Sequence, residues 1–139
     1  MGFFELGTAN NMLEKAKREL ARLEADVSID HVFNFFVTAF HVADYLDDKR
    51  LKRRLEKKSW FKHCGDAGNK AKHMELTRDR PDPNTPKDYF LADGMSVPGV
   101  QWRIQWKDGK SREVISFARE VIAKWEEFFV KHGIGQPPP

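Results

Sequence analysis

Apolar residues recur near the start of the chain at three- and four-residue steps, as Met12, Leu13, Ala16, Leu20 and Leu23. That period predicts an amphipathic helix over Ala9–Ala25, with Thr8 placed to cap it. The other face carries Glu14 with Arg18 and Lys15 with Glu19. Each pair is four residues apart, the spacing at which opposite charges meet on an exposed helix surface. The stretch DVSID breaks the pattern, and Ser28 is the expected N-cap of a second helix that ends near Leu46.

That second segment, IDHVFNFFVTAFHVADYL, is apolar nearly all round. Val32, Phe33, Phe35, Phe36, Val37, Ala39, Phe40, Val42 and Ala43 leave no wide solvent face, so the helix is expected in the middle of a bundle. Asn34, Thr38, His41 and Tyr45 interrupt it at steps of four, three and four and draw one narrow polar stripe. Buried polar groups need partners, and CGDAGNKAKHMEL offers them. Read as a third helix, it aligns Asp66, Asn69 or Lys70, His73 and Thr77 at the same spacing, beside an apolar row of Ala67, Ala71 and Met74. Gly65 and Gly68 each cost about 1 kcal/mol relative to alanine inside a helix. Gly68 suits a close approach to the aromatic helix, and a helix start near Asp66 leaves Gly65 in the preceding turn.

Two facing helices of this kind bring together His73, Asn69 and His41, with Asn34, Thr38, Asp44 and Asp66 as the surrounding polar network. Asn34, His41 and His73 are expected to be mostly buried, with at least two of them bonded across the helix pair. The cluster reads either as a satisfied hydrogen-bond network that fixes helix register or as a catalytic or binding site.

Beyond Thr77 the chain changes character. RDRPDPNTP is a loop by composition. VQWRIQW alternates Val100, Trp102, Ile104 and Trp106 with Gln101, Arg103 and Gln105, the period of a strand with one buried face. Lys107-Asp108-Gly109-Lys110 supplies a tight hairpin turn, and Tyr89 to Ala92 is a further strand candidate. SREVISFAREVIAKWEEFFVKHG reads as the last helix, with Ser111 as N-cap. Val114, Phe117, Ala118, Val121, Ile122, Trp125 and Phe128 or Phe129 face inward, and Gly133 ends it. The expected fold is mainly α: one domain over residues 1–133, a four-helix up-down bundle with a small β-hairpin near 99–112 before the last helix, and a flexible tail at 134–139.

Composition narrows the class. At 139 residues, 40% hydrophobic and 32% charged, the chain fits a soluble globular domain. One cysteine excludes an internal disulfide framework and a cysteine-based zinc site, and fits a reducing cytoplasm. The start MGFFELGTANN lacks a basic segment followed by an apolar run, so no secretory signal is expected. Leu6 stands where a myristoylation signal wants serine or threonine. No stretch approaches the roughly 18 apolar residues of a membrane span. The histidines and aspartates lack the helical spacings of dedicated metal sites, and no glycine-rich phosphate loop occurs, so neither metal nor cofactor is expected. Cys64 beside His63 is not a catalytic pair, because sequence neighbours do not bring their side chains together.

The net charge of +3 is concentrated in DDKRLKRRLEKKSWFKH, Asp47 to His63. Arg50, Arg53, Arg54 and Lys57, with Lys70 and Lys72 further on, can attract a phosphate backbone. The same run also suits a solvated helix face or a corner between helices. Aromatics are abundant, and Trp60, Phe61, Trp125 and Phe129 exceed what one small core is expected to bury, which points to a homodimer.

An aromatic second helix followed by a helix with a polar residue, three spacers and histidine resembles the HEPN superfamily. These are small all-helical bundles, many of them ribonucleases of toxin–antitoxin, abortive-infection and other phage-defence systems. Their signature is arginine, a spacer of four to six residues and histidine, often with a polar residue directly after the arginine. Asn69-Lys70-Ala71-Lys72-His73 matches the polar residue and the histidine, while the permitted arginine positions hold Gly68, Ala67 and Asp66. Metal-independent RNA cleavage needs an acid or base near the 2′-hydroxyl and a cation against the developing phosphate charge. The resemblance implies His73 in the first role with His41 as a second, and leaves only Lys70 or Lys72 for the charge, without arginine's bidentate fork. The expectation is therefore a non-catalytic binding or regulatory member with an RNA or protein partner. A ribonuclease using His73 and a structural protein without a site are the alternatives.

Overall fold

Thr8 starts the first helix as its hydroxyl predicts: Oγ1 accepts the Asn11 N–H at 3.0 Å, and α1 runs Ala9–Ala25. The computed structural model describes residues 8–69, 75–79, 101–106 and 109–135, a mainly helical fold with a small antiparallel sheet. Helix α1 buries Met12, Leu13, Ala16 and Leu23. Its charged face differs from expectation. Glu14 meets Lys17, which also reaches Glu126 of the last helix, both at 3.0 Å. Glu19 is buried and bonded to Arg22 at 2.6 Å, while Lys15 turns to Thr38 at 3.1 Å.

Ser28 caps helix α2 (Ile29–His41), accepting the His31 N–H at 3.2 Å, and a single 3-10 turn, Val42–Tyr45, follows. Val32, Phe35, Phe36, Ala39 and Val42 are fully enclosed. The helix is nevertheless not covered all round: Ile29 is 55% and Phe33 44% exposed, so its first turns keep an open side.

The basic run folds into a corner between two helices. Asp48 Oδ1 accepts the Arg50 N–H at 2.8 Å and starts helix α3 (Lys49–Glu56), which anchors itself through the fully buried Leu55. Helix α4 then spans Ser59–Asn69, seven residues earlier in its start than Asp66. Gly65 therefore lies inside the helix and not in a preceding turn. Phe40 stacks on Phe61 at 4.8 Å and the Cys64 thiol points at the Phe36 carbonyl at 3.7 Å, so α4 runs antiparallel to α2. Gly65 and Gly68 make that approach possible: a Cβ at Gly65 would stand 2.5 Å from the Phe40 ring, and one at Gly68 2.9 Å from the Val37 nitrogen.

The third helix does not reach Thr77, which belongs to strand β1 (Glu75–Asp79). Strand β1 pairs antiparallel with β2 (Gln101–Gln105), and β2 with β3 (Ser111–Glu113), in the order β1-β2-β3. The β2–β3 hairpin is the expected one, with Gly109 at φ 88° in its turn. Ile104 and Trp106 are buried and Trp102 packs against the core, as the alternation predicts. Tyr89 to Ala92 lie outside the described residues.

Ser111 is taken up by β3, so Glu113 caps the last helix instead, its carboxylate accepting the Ile115 and Ser116 N–H groups at 2.8 and 2.9 Å. Helix α5 (Val114–His132) buries both Phe128 and Phe129 along with its other inward residues. Gly133, at φ 67°, ends it in a left-handed cap; the Ile134 N–H returns to the Phe129 carbonyl at 2.9 Å and Ile134 packs on the core. Trp125 ties the helices together by donating its indole N–H to the Ala39 carbonyl at 2.9 Å. Trp60, Phe61, Trp125 and Phe129 are all buried within one chain.

Candidate functional site

The structure divides the polar stripe of α2. Asn34 is exposed. Thr38 is buried, and its hydroxyl accepts from Lys15 of α1, not from α4. His41 Nδ1 meets Asp44 Oδ2 at 2.5 Å, with the His41 side chain half-buried and that of Asp44 exposed. The 3-10 turn explains this local pair, because residues three apart eclipse in that geometry and Asp44 is set above His41. The expected burial of Asn34 and His41 is therefore not found: α1, α4 and α5 enclose the sides of α2 that carry Phe35, Phe36 and Ala39, and leave Asn34 outside. Asp66 is half-buried on α4. Asn69 closes α4; Lys70, Lys72 and His73 lie outside the described residues.

A different set of residues converges at the helix corner. Arg54, Lys57, Lys58, Ser59 and Trp60 from α3, the turn and the start of α4 face Lys124, Glu127, Phe128, Lys131 and His132 of α5 across an open groove of about 530 Å³. Local folding places each side. Leu55 pins α3 to the core, so Arg54 and then Lys57 and Lys58 emerge at its C-terminal end. On α5 a stripe at helical spacing, Lys124, Phe128, then Lys131 and His132, points the same way, and the Gly133 cap fixes its last turn. Trp60 and Phe128, both buried, make the apolar base. Trp60 meets Trp125 edge-on at 5.4 Å, and Trp125 meets Phe128 the same way at 5.9 Å.

Electrostatically the groove is one-sided: five permanent cations and one imidazole against the single carboxylate of Glu127. The His132 ring leans on Phe128 with centroids 4.4 Å apart. Loss of solvent there, then the charges of Arg54, Lys131 and Lys58, hold its imidazole below the ordinary value, with Asp48 working weakly the other way. Such a concentration of cations gives the groove a positive potential.

Of the basic residues expected to meet nucleic acid, Arg54 and Lys57 line this groove, whereas Arg50 and Arg53 are exposed on α3 outside its lining. Lys58, also in the lining, belongs to the same basic run, whereas Lys124, Lys131 and His132 were not anticipated. Their signal was present in α5 as cations alternating with Phe128 on one helix stripe, but only the fold shows that this stripe faces the basic run.

Cys64 is fully enclosed, and burial pushes its thiol far up from its ordinary value, which disfavours the thiolate that a nucleophile or metal ligand needs. Among the described residues, no three His, Cys, Asp or Glu side chains gather to hold a metal ion. None of their helices is long and apolar enough to cross a membrane. Comparison with protein-family models, with curated proteins and with solved structures finds no match to this chain.

Proposed function

We propose that the protein is a non-catalytic binding protein for a nucleic-acid strand, RNA in first place, held by its phosphates in the groove between the α3–α4 corner and α5. The observation that carries this reading is the groove's composition: Arg54, Lys57, Lys58, Lys124 and Lys131 stand over an apolar base with one carboxylate among them. An acidic protein surface would also be attracted, but cations on both walls of a concave groove suit the closely and evenly spaced charges of a phosphate backbone. The HEPN-like identity, its four-helix up-down arrangement and its regulatory role in bacterial defence belong to the same proposal.

The test is equilibrium binding of a single-stranded RNA to the wild type and to a Lys58→Glu, Lys131→Glu double variant across a salt series. Wild-type affinity should fall with salt by about 0.7 log units per log unit of salt for each phosphate contacted. The double variant should lose both affinity and slope, and the RNA should remain intact. Cleavage that stops on His73→Ala would favour the nuclease. No binding at low salt by a folded wild type would leave a structural protein.

A further inference from the structure

Among the residues lining the groove, His132 is the one whose ordinary titration lies near neutral pH. We propose that His132 is a proton-linked phosphate ligand: the strand binds with His132 protonated, so that binding takes up a proton and tightens as the pH falls through neutrality. This rests on the reading of the groove as a nucleic-acid site.

The geometry supplies the coupling. His132 sits in the last turn of α5, braced against Phe128, with Lys131 beside it and Arg54 and Lys58 facing it from the corner. Lys124 and Glu127 complete its side of the groove, and Asp48 at the start of α3 is the carboxylate that opposes the three cations. In the free protein, loss of solvent and then this cationic setting favour the neutral imidazole. A bound phosphodiester reverses the setting: it offsets Arg54, Lys58 and Lys131, and it offers acceptor oxygens to an imidazolium that donates through both ring nitrogens. His132 is then more basic in the complex than in the free protein. Linkage fixes the sign. Affinity is flat above the bound-state pKa and flat below the free-state pKa. Between them it rises by up to about tenfold for each unit of falling pH, one proton being taken up.

The phosphodiester does not titrate in this range, but a terminal phosphomonoester does, near pH 6. The experiment therefore uses single-stranded RNA with hydroxyl ends and a pH-insensitive fluorophore, at constant ionic strength, from pH 5.5 to 8.5. Wild type, His132→Gln and His132→Lys are compared, each first shown to be folded. The wild type should gain several-fold more affinity on acidification than His132→Gln. His132→Lys should bind at least as tightly as the wild type at pH 8 and lack the extra pH dependence. Proton resonances of the His132 ring should titrate at higher pH once RNA is added. Equal pH slopes in the wild type and His132→Gln would overturn the proposal while leaving the groove reading intact. Absence of RNA binding by the wild type at every pH and at low salt would remove the groove reading, and this proposal with it.

Discussion

Gly68 lies against the backbone of Val37, so closely that a Cβ there would stand 2.9 Å from the Val37 nitrogen and 3.0 Å from the Phe36 carbonyl oxygen. Two helices meet at that point with no side chain between them. In an ordinary helix interior Gly→Ala would add about 1 kcal/mol through propensity. Here the methyl has no room, because backbone cannot swing aside as a side chain can. Gly68→Ala should therefore destabilise by about 1–2 kcal/mol, an overpacking cost larger than the propensity gain, and lower Tm by several degrees. Gly65→Ala should cost less, since its clash is with the Phe40 ring, which is only half-buried and can turn outward. Thermal unfolding of both variants checks the order. Gly68→Ala as stable as the wild type would disprove the close contact.

Cys64 gives a second test of the same interface. It is enclosed between α4 and the Phe36 carbonyl, and burial keeps it a thiol. An alkylating reagent at pH 8 should leave native protein unmodified and should label it at once in denaturant. Gly68→Ala should raise the labelling rate in native buffer, because forcing the helices apart populates open states. Rapid labelling of the native wild type would show that the interface is looser than described.

Two adjacent arginines, Arg54 in the groove's lining and Arg53 outside it, separate a local site from a diffuse basic surface. Arg53→Glu, on the exposed side of α3, and Arg54→Glu, in the lining, change net charge equally. If phosphates sit in the groove, Arg54→Glu should weaken RNA binding several-fold more than Arg53→Glu at moderate salt. Fluorescence anisotropy titrations measure the difference. Equal losses would mean that the corner attracts RNA only through its overall charge.

Legibility in the sequence followed the range of the physics involved. Caps and periodicity are local, so Thr8, Ser28, Gly133, the alternation of β2 and the inward row of α5 could all be read from neighbouring residues. Gly68 was legible for the same reason, as a costly residue facing an aromatic helix. The polar stripe misled because helical spacing shows which residues share a face but not what covers it. Asn34 and His41 share a face with Thr38, yet only Thr38 lies under α1. Strand β1 was missed because Glu75–Asp79 has no apolar alternation, and its place is set by pairing with Gln101–Gln105 far along the chain. The groove was half legible: the basic run was visible, but its facing stripe on α5 is brought to it only by the fold.

Glu19 carries the least expected relationship in α1. It is 7% exposed, Arg22 holds Oε1 at 2.6 Å, and Oε2 is buried without a hydrogen-bond partner among the described residues. Burying a carboxylate is costly, and one bond from a side chain that is itself 56% exposed offsets only part of the cost. Three variants separate the terms. Glu19→Met keeps length and apolar packing but removes the charge, and lets Arg22 return to water; it should be neutral or stabilising by about 1 kcal/mol. Arg22→Ala leaves the carboxylate buried with neither oxygen bonded, and should destabilise by about 1–3 kcal/mol. In the double variant the loss at Arg22 should nearly vanish, because the group it served is gone. Urea unfolding of all four proteins, with unchanged slope, measures the cycle. If Glu19→Met destabilises as much as Arg22→Ala, the buried carboxylate is a net contributor to stability and its second oxygen has a partner in solution.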